Sequence, residues 1–241
     1  DVVLAATKIP TDDRVHEIRT LDHFLRLKDC EEYRAHGLKP LILKKVRAKG
    51  ISIRKLCKLL GISTSAIYRD SIPLSKLRQL SEILDLRLEE AEFRISHRKK
   101  SVVIPSKIEL SEELGFLVGL YLANGSARKS GYQISIASGD EELLSFASEV
   151  FARVFGCKPS VRRRRDGTSV LVVGGKPVHE FFVGVLGVGE GDQSKRVPWA
   201  AFNNRRFALG VLSGLICGGG HVGEQFSEIS ADESLGNDIA Y

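Results

Sequence analysis

The chain has 241 residues, of which 43% are hydrophobic and 27% charged, with a formal net charge of +6 and a pI near 9.2. These proportions are typical of a globular protein with one large or two smaller domains. No apolar run reaches the roughly 18 residues that a membrane-spanning helix needs, and the basic balance favours a polyanionic partner such as nucleic acid.

The four cysteines, Cys30, Cys57, Cys157 and Cys217, stand singly, without a CxxC pair or a histidine at ligand spacing. We therefore expect neither a zinc site nor a disulfide framework, and a reducing, cytoplasmic setting. The sequence contains no methionine and does not open on a basic-then-apolar leader. We expect no signal peptide, and a polypeptide that is a piece of a longer one.

Residues 1–40 are expected to form a mixed segment. The first ten residues alternate like a short strand, and "DRVHEIRTLDHFLRLKDCEEYRAHG" is predicted to be helical, although its periodicity is poor. Gly37 and Pro40 end it. We interpret His16, His23 and His36 as surface residues rather than metal ligands.

Residues 41–96 have the pattern of a helix-turn-helix domain. "LILKKVRAKG" and "SIRKLCKLLG" are amphipathic and end at glycines, and the second begins at Ser52. A short helix over "STSAIYRD" and a covering helix over "LSKLRQLSEILDL" follow. The third helix would enter the DNA major groove while neighbouring basic side chains contact phosphates. The base-reading candidates are Thr64, Ser65, Tyr68 and Arg69, and the phosphate candidates are Arg54, Lys55 and Lys58. The alternative is a small helical bundle with a solvated basic face.

We interpret residues 97–110, "HRKKSVVIPSKIEL" with Pro105 in its second half, as a basic linker. From Ser111 the pattern predicts a helix, the strand "YQISIAS", an amphipathic helix, two strands about an Asp166-Gly167 turn, and a further helix. A second helix then repeats the small-residue pattern of the first. Gly119, Leu120 and Gly125 recur as Gly214, Leu215 and Gly220.

This arrangement resembles the LAGLIDADG homing endonucleases, specifically the two-motif DOD type found in archaeal inteins. "LVGLYLANG" at 117–125 is similar to the first motif, "LSGLICGGG" at 212–220 to the second, and "SKRVP" to the intervening lysine block, which places its lysine at Lys195. The resemblance implies an α+β fold, with an αββα saddle domain at 111–241 after the helix-turn-helix domain. It also implies Mg²⁺ as cofactor and double-stranded DNA as partner, with no membrane and no small-molecule substrate.

The resemblance places the two metal-binding carboxylates at positions that Asn124 and Gly219 occupy here. Asn124 offers a neutral carbonyl, Gly219 offers no side chain, and Cys217 is a soft ligand that suits Mg²⁺ poorly. We therefore expect no bound metal and no cleavage. Lys195, whose family role is thought to be polarising the attacking water, would persist without function.

The stretch "KPSVRRRRDG" predicts a basic hairpin that carries Lys158, Arg162, Arg163, Arg164 and Arg165. Strand alternation would send Arg162 and Arg164 to one face and Arg163 and Arg165 to the other. In the family this saddle lies in the major groove. The alternative is a solvated run of charge, although four neighbouring arginines repel each other without an anionic partner.

The two ends of the sequence depart from the family. The chain stops at Tyr241, before most of the second saddle half, so we expect a truncated second repeat. The first ten residues resemble the last strand of an intein splicing module, but splice-junction residues are missing and splicing is not expected. Two alternatives to a cleavage-deficient DNA-binding protein stay open. One is a transcription regulator built from the same modules, and the other is an active endonuclease in which another acid, such as Glu224, replaces the lost ligands.

Overall fold

The computed structural model describes residues 13–98, 102–191, 194–222 and 227–229. The chain divides into two compact units, one from Arg19 to Lys107 and a larger one that combines the residues from Ile108 onward with those up to Ile18. No helix within the described ranges is long and apolar enough to cross a membrane. The expected first strand and Glu224 lie outside the described residues.

The segment up to residue 109 contains short helices and strands, with 3-10 turns at Cys30–Glu32 and Leu74–Lys76. In chain order the elements are β1 (Glu17–Arg19), α1 (Thr20–Arg26), β2 (Tyr33–His36), α2 (Lys39–Ala48), α3 (Ile53–Leu60), α4 (Thr64–Tyr68), β3 (Ile72–Pro73), α5 (Leu77–Leu84), β4 (Arg94–His97), β5 (Val103–Pro105) and β6 (Lys107–Glu109). An antiparallel sheet has the order β3-β2-β4-β5, and β1 pairs with β6.

The helix start and stop signals of α3 are confirmed. The Ser52 hydroxyl accepts the Lys55 N–H at 3.2 Å, and Gly61 ends the helix with a left-handed φ of 64°. α4 ends after one turn because Asp70, at φ 50°, turns back and its carboxylate accepts the backbone N–H groups of Gly37 and Lys39 at the start of α2. Arg69, expected within this helix, lies beyond its last residue.

Two expectations for the smaller unit were wrong. Residues 17–37 do not form one helix. They form β1, α1, a 3-10 turn and β2, so their apolar residues are divided between two strands and one short helix. Residues 97–110 are not a linker, since His97 ends β4 and the strands β5 and β6 follow. Alternate residues from Val102 to Leu110 are buried, a period of two that the preceding basic run obscures.

The larger unit contains the paired motif helices and a four-stranded sheet. Its elements are α6 (Glu112–Asn124), β7 (Gly125–Arg128), β8 (Gln133–Ser138), α7 (Glu141–Phe155), β9 (Ser160–Arg163), β10 (Ser169–Gly174), α8 (Lys176–Glu180) with a π-helical continuation at Phe181–Leu186, a 3-10 turn at Trp199–Phe202, α9 (Arg205–Gly219), β11 (Gly220–Val222) and β12 (Ser227–Ile229).

The antiparallel sheet has the order β7-β8-β10-β9. One face carries Ile134, Ile136, Leu171 and Val173, all buried. α7 and α8 pack against β8 and β10, and α6 packs against β8. An aromatic cluster fills the core beneath the helices, with Phe151 and Phe182 stacked at 5.8 Å. The α+β class is confirmed, and so is the order of elements from Ser111 to the second motif helix, except that β7 was not predicted.

Candidate nucleic-acid interface and paired helix ends

Glycines bring α6 and α9 into direct backbone contact. A Cβ at Gly115 would overlap the Phe207 carbonyl oxygen, and one at Gly119 would overlap that of Val211. The reverse holds for Gly210 and Gly214 on α9, where a Cβ would overlap carbonyl oxygens of α6. Each helix therefore needs glycine at two positions one turn apart, as the repeated small-residue pattern predicts.

At the C-terminal ends of this pair, Asn124 bridges the two helices. Its side-chain amide donates a hydrogen bond to the Gly218 carbonyl oxygen of α9. A Cβ at Gly218 would lie 2.6 Å from the Ala123 Cβ, whereas one at Gly219 would lie 3.6 Å from the same atom. The end of α9 thus excludes a side chain at Gly218 but has room for one at Gly219.

These helix ends do not fit a divalent metal ion. The amide nitrogen of Asn124 is engaged with Gly218, and Gly219 has no side chain to offer. Within the described residues, no group of three His, Cys, Asp or Glu ligand atoms gathers there. Helix C-termini carry negative partial charge, which a metal bound by carboxylates would offset. Here a neutral hydrogen bond between the Asn124 amide and the Gly218 carbonyl joins the two helix ends instead.

The loop that leads to Lys195 lies against the end of α6. The Tyr121 hydroxyl donates to the Gly189 carbonyl at 2.6 Å, and the Ala127 N–H donates to the Glu190 carbonyl at 2.9 Å. These contacts fall three residues on either side of Asn124. Lys195 itself is buried, with 4% of its surface exposed, so its ammonium group is enclosed by protein.

The other face of the sheet is mixed, because the buried Val170 lies there among arginine, serine and glutamine side chains. Cross-strand partners share a face, so the register defines this outer face row by row. The first row joins Arg128, Gln133 and Gly174; the second joins Ser126, Ser135, Val172 and Ser160; the third joins Ala137, Val170 and Arg162. This surface contains arginine, hydroxyl and amide groups and no carboxylate.

The basic hairpin forms, but its alternation is shorter than expected. β9 ends at Arg163, so strand geometry places Arg162 on the outer face and Arg163 on the opposite one. Arg164 donates its backbone N–H to Thr168, and Arg165 lies in the turn before Gly167. The expectation that Arg164 and Arg165 alternate as strand residues was therefore wrong. Lys158 and all four arginines are exposed.

A carboxylate does stand at the hairpin tip, at Asp166. Hydrogen bonds from the Thr168 hydroxyl and backbone N–H, with a smaller contribution from nearby Arg164, hold the pKa of Asp166 below its ordinary value. The group therefore stays ionised and shapes the turn.

Sequence reasoning missed Arg128 and the serine row. β7 is a four-residue strand directly after the motif helix, too short to show a clear period. A signal was present in "GSAR", where small residues at Gly125 and Ala127 alternate with polar ones at Ser126 and Arg128. Recognising it needs the register with β8, which local sequence does not contain.

In the smaller unit, α3 and α4 are joined by residues 61–63, and their polar side chains face solvent. Arg54, Lys55 and Lys58 on α3 are exposed, as are Thr64, Ser65, Tyr68 and Arg69. Tyr68 is a large apolar surface residue at 57% exposure. The structure thus brings the predicted base-reading and phosphate-contacting residues to the surface of α3 and α4, with Arg69 directly after the end of α4.

Comparison with known proteins gives two matches. Residues 111–183 match the family model described as a LAGLIDADG-like domain. The chain is also similar to the DNA polymerase II large subunit of Thermococcus kodakarensis, with 33% identity over 149 residues. That match covers 61% of this chain but 8% of the polymerase subunit, so the chain spans a small fraction of the length of this relative.

Proposed function

We propose that the LAGLIDADG-like domain at residues 111–183 belongs to the LAGLIDADG homing endonuclease family, and that the chain binds double-stranded DNA through the outer face of its four-stranded sheet without cleaving it. The observation that carries the proposal is the composition of that face. Two arginines, three serines and a glutamine lie on cross-strand rows that contain no carboxylate.

This composition suits a DNA surface. Arginine contacts phosphates and guanine edges, and serine hydroxyls donate or accept without a charge. A two-stranded β-ribbon fits within the major groove, and the turn of the β9-β10 hairpin adds two further exposed arginines, Arg164 and Arg165.

The proposed absence of cleavage is supported by the paired helix ends. Metal-assisted hydrolysis of a phosphodiester requires ligands that hold the ion against the scissile phosphate. Asn124 donates its amide to Gly218 and Gly219 has no side chain, so neither of the two motif positions supplies a carboxylate.

Fluorescence anisotropy of labelled duplexes over a NaCl series tests the binding surface. Arg128→Ala combined with Arg162→Ala should weaken binding and reduce the log-log salt slope by about two, because each phosphate contact contributes about 0.9 to the slope. The matched control removes two exposed arginines from helices, Arg153 on α7 and Arg206 on α9. An equal loss in both double variants would show that net charge alone, rather than the sheet face, determines binding.

Cleavage is tested separately on supercoiled and linear duplex pools with Mg²⁺ and with Mn²⁺. We expect binding without nicking at any concentration of either ion. Metal-dependent cleavage by the unmodified chain would overturn this part of the proposal and make the chain an active endonuclease.

We further infer that α3 and α4 act as a helix-turn-helix and provide a second DNA-contacting surface. The support is the exposure of the hydroxyl and basic residues on these helices. Tyr68→Ala or Arg69→Ala should reduce sequence preference more than overall affinity, because base contacts specify and phosphate contacts position. A uniform loss of affinity for every duplex would instead indicate that these residues contact the DNA backbone.

The third inference concerns origin, namely that the chain is a DOD-type, archaeal intein element. Two motifs with an intervening lysine block support it, and so does a match confined to 8% of a polymerase subunit, as an inserted element would give. Sequencing the surrounding gene tests this. We expect a polymerase-like reading frame on both sides of the segment that encodes this chain, and unrelated flanking genes would contradict the inference.

A further inference from the structure

Three potential metal ligands meet in the smaller unit, outside the LAGLIDADG-like domain. Asp29 precedes the 3-10 turn at Cys30–Glu32, Glu32 ends that turn, and His97 ends β4. One ligand atom from each side chain lies within 4.8 Å of the other two. The His97 Nε2 and Glu32 Oε2 atoms are 2.8 Å apart.

The backbone holds these residues in place. The Glu32 N–H donates to the Asp29 carbonyl at 2.9 Å, and the Arg98 N–H donates to the Glu32 carbonyl at 2.7 Å. His97 is the cross-strand partner of Tyr33, whose ring packs edge-on against the imidazole at 5.3 Å. The backbone hydrogen bonds of the 3-10 turn and the pairing of β2 with β4 therefore hold the three ligand-bearing residues beside one another.

Burial gives the cluster a closed side and an open side. The His97 side chain is 9% exposed and that of Glu32 is 46% exposed. An ion could therefore reach the carboxylates from solvent while the imidazole approaches it from within the protein.

The group has the composition of a metal site rather than of a simple ion pair. The hydrogen bond between His97 and Glu32 joins two of the residues, and a carboxylate oxygen of Asp29 lies within 4.8 Å of a ligand atom of each. Two carboxylates at this separation repel each other, and a cation between them removes that repulsion. Ligands about 2.0–2.2 Å from an ion lie roughly 3 to 3.5 Å from one another, so small side-chain adjustments would complete the geometry.

We propose that Asp29, Glu32 and His97 bind one divalent first-row transition-metal ion. One imidazole and two carboxylates favour Zn²⁺, Co²⁺ or Mn²⁺ over Mg²⁺, which prefers oxygen ligands alone. Three protein ligands leave positions for water, so the site is open rather than fully enclosed.

Isothermal titration of the full chain with Zn²⁺, with Co²⁺ absorption as a second readout, tests the proposal. We expect one Zn²⁺ per chain, a raised melting temperature on binding, and visible Co²⁺ bands without a sulfur-to-cobalt charge-transfer band, since no cysteine belongs to the set. Asp29→Asn and Glu32→Gln should each weaken the affinity by at least about tenfold, since loss of merely supporting groups already costs 10–100-fold.

Glu31→Gln is the matched control, because it removes the same charge from the same 3-10 turn without touching the three ligands. It should bind Zn²⁺ as the unmodified chain does. Thermal unfolding without metal identifies any variant that fails to fold. If Glu32→Gln fails to fold, Asp29→Asn still decides the test, because Asp29 lies outside the sheet. No binding, an unchanged affinity in Asp29→Asn, a sulfur charge-transfer band, or an equal loss in Glu31→Gln would each overturn the proposal.

Discussion

Replacing Asn124 by Asp should destabilise the larger unit, although the two side chains have the same shape. The amide of Asn124 donates to the Gly218 carbonyl, whereas a carboxylate can only accept and would face that carbonyl oxygen directly. The new charge would also stand at the C-terminal end of α6 and beside that of α9, where the helix dipoles are negative.

The magnitude follows from these two changes. Loss of a neutral hydrogen bond costs about 1 kcal/mol, and an exposed charge of the wrong sign at a helix end costs about 0.3–1 kcal/mol at low salt. Together they lower the free energy of unfolding by about 1.5 kcal/mol, which corresponds to a decrease of about 3–6 °C in melting temperature for a chain of this size.

Thermal unfolding followed by circular dichroism at low and high NaCl measures this. Asn124→Ala should lose the hydrogen-bond contribution alone and respond little to salt, whereas Asn124→Asp should recover part of its loss as salt screens the charge. Asn203→Asp removes another amide-to-carbonyl hydrogen bond, to Trp199 at 2.9 Å, away from the motif helix ends. A salt response in Asn203→Asp equal to that in Asn124→Asp would refute the reasoning.

Adding Gly219→Asp to Asn124→Asp extends the test to metal binding. A Cβ at Gly219 meets Ala123 at 3.6 Å, which is ordinary contact, so the backbone at this position accepts a side chain. The double variant should be less stable than either single variant without metal, and Mg²⁺ or Mn²⁺ should restore its stability by binding the folded state. A double variant whose melting temperature ignores both ions would refute the assignment of these positions as the motif carboxylates.

Three further outcomes are expected. Gly214→Ala should cost about 1–3 kcal/mol in urea unfolding because its Cβ overlaps the Phe116 carbonyl, whereas Gly219→Ala should cost far less. Burial lowers the pKa of His179 below its ordinary value of 6.5. As pH falls, the unfolded chain therefore takes up a proton at this residue before the folded chain does, so the stability should be full above about pH 6.5 and decrease below it. His179→Phe should flatten that decrease between pH 7.5 and 5.5. Asp70→Ala should remove the cap of α2 and cost about 1 kcal/mol, measured by the urea midpoint.

Local pattern was sufficient to predict the motif helices and several of their boundaries. The glycine pairs of α6 and α9 recur at helical spacing, and Ser52, Ser111 and Gly61 act as the caps that their residue types indicate. These features depend on neighbours within about four residues along the chain, which is the range that sequence periodicity reports.

The elements that were missed depend on distant pairing. β2 pairs with β4, and His36 shares a hydrogen bond of 2.7 Å with Ser96, sixty residues away. The same pairing brings His97 beside Glu32. No local period in residues 17–37 indicates the pairing of β2 with β4. Strands of three or four residues are shorter than the sequence window needed to distinguish a period of two from one of 3.6.

The glycines and the helix-end residues of the motif meet two different requirements, namely close packing of the two helices and chemistry at their C-terminal ends. Gly119 and Gly214 are needed because the two backbones touch, whatever chemistry stands at the helix ends. The carboxylates of an active site would oppose this contact without metal, since they bring like charges together where both helix dipoles are negative. Asn124 replaces that repulsion with a hydrogen bond to α9, so the absence of a carboxylate at this position carries no cost in folding. The helix pair can then persist as the support of the arginine-bearing sheet, because α6 continues directly into β7 and packs against β8.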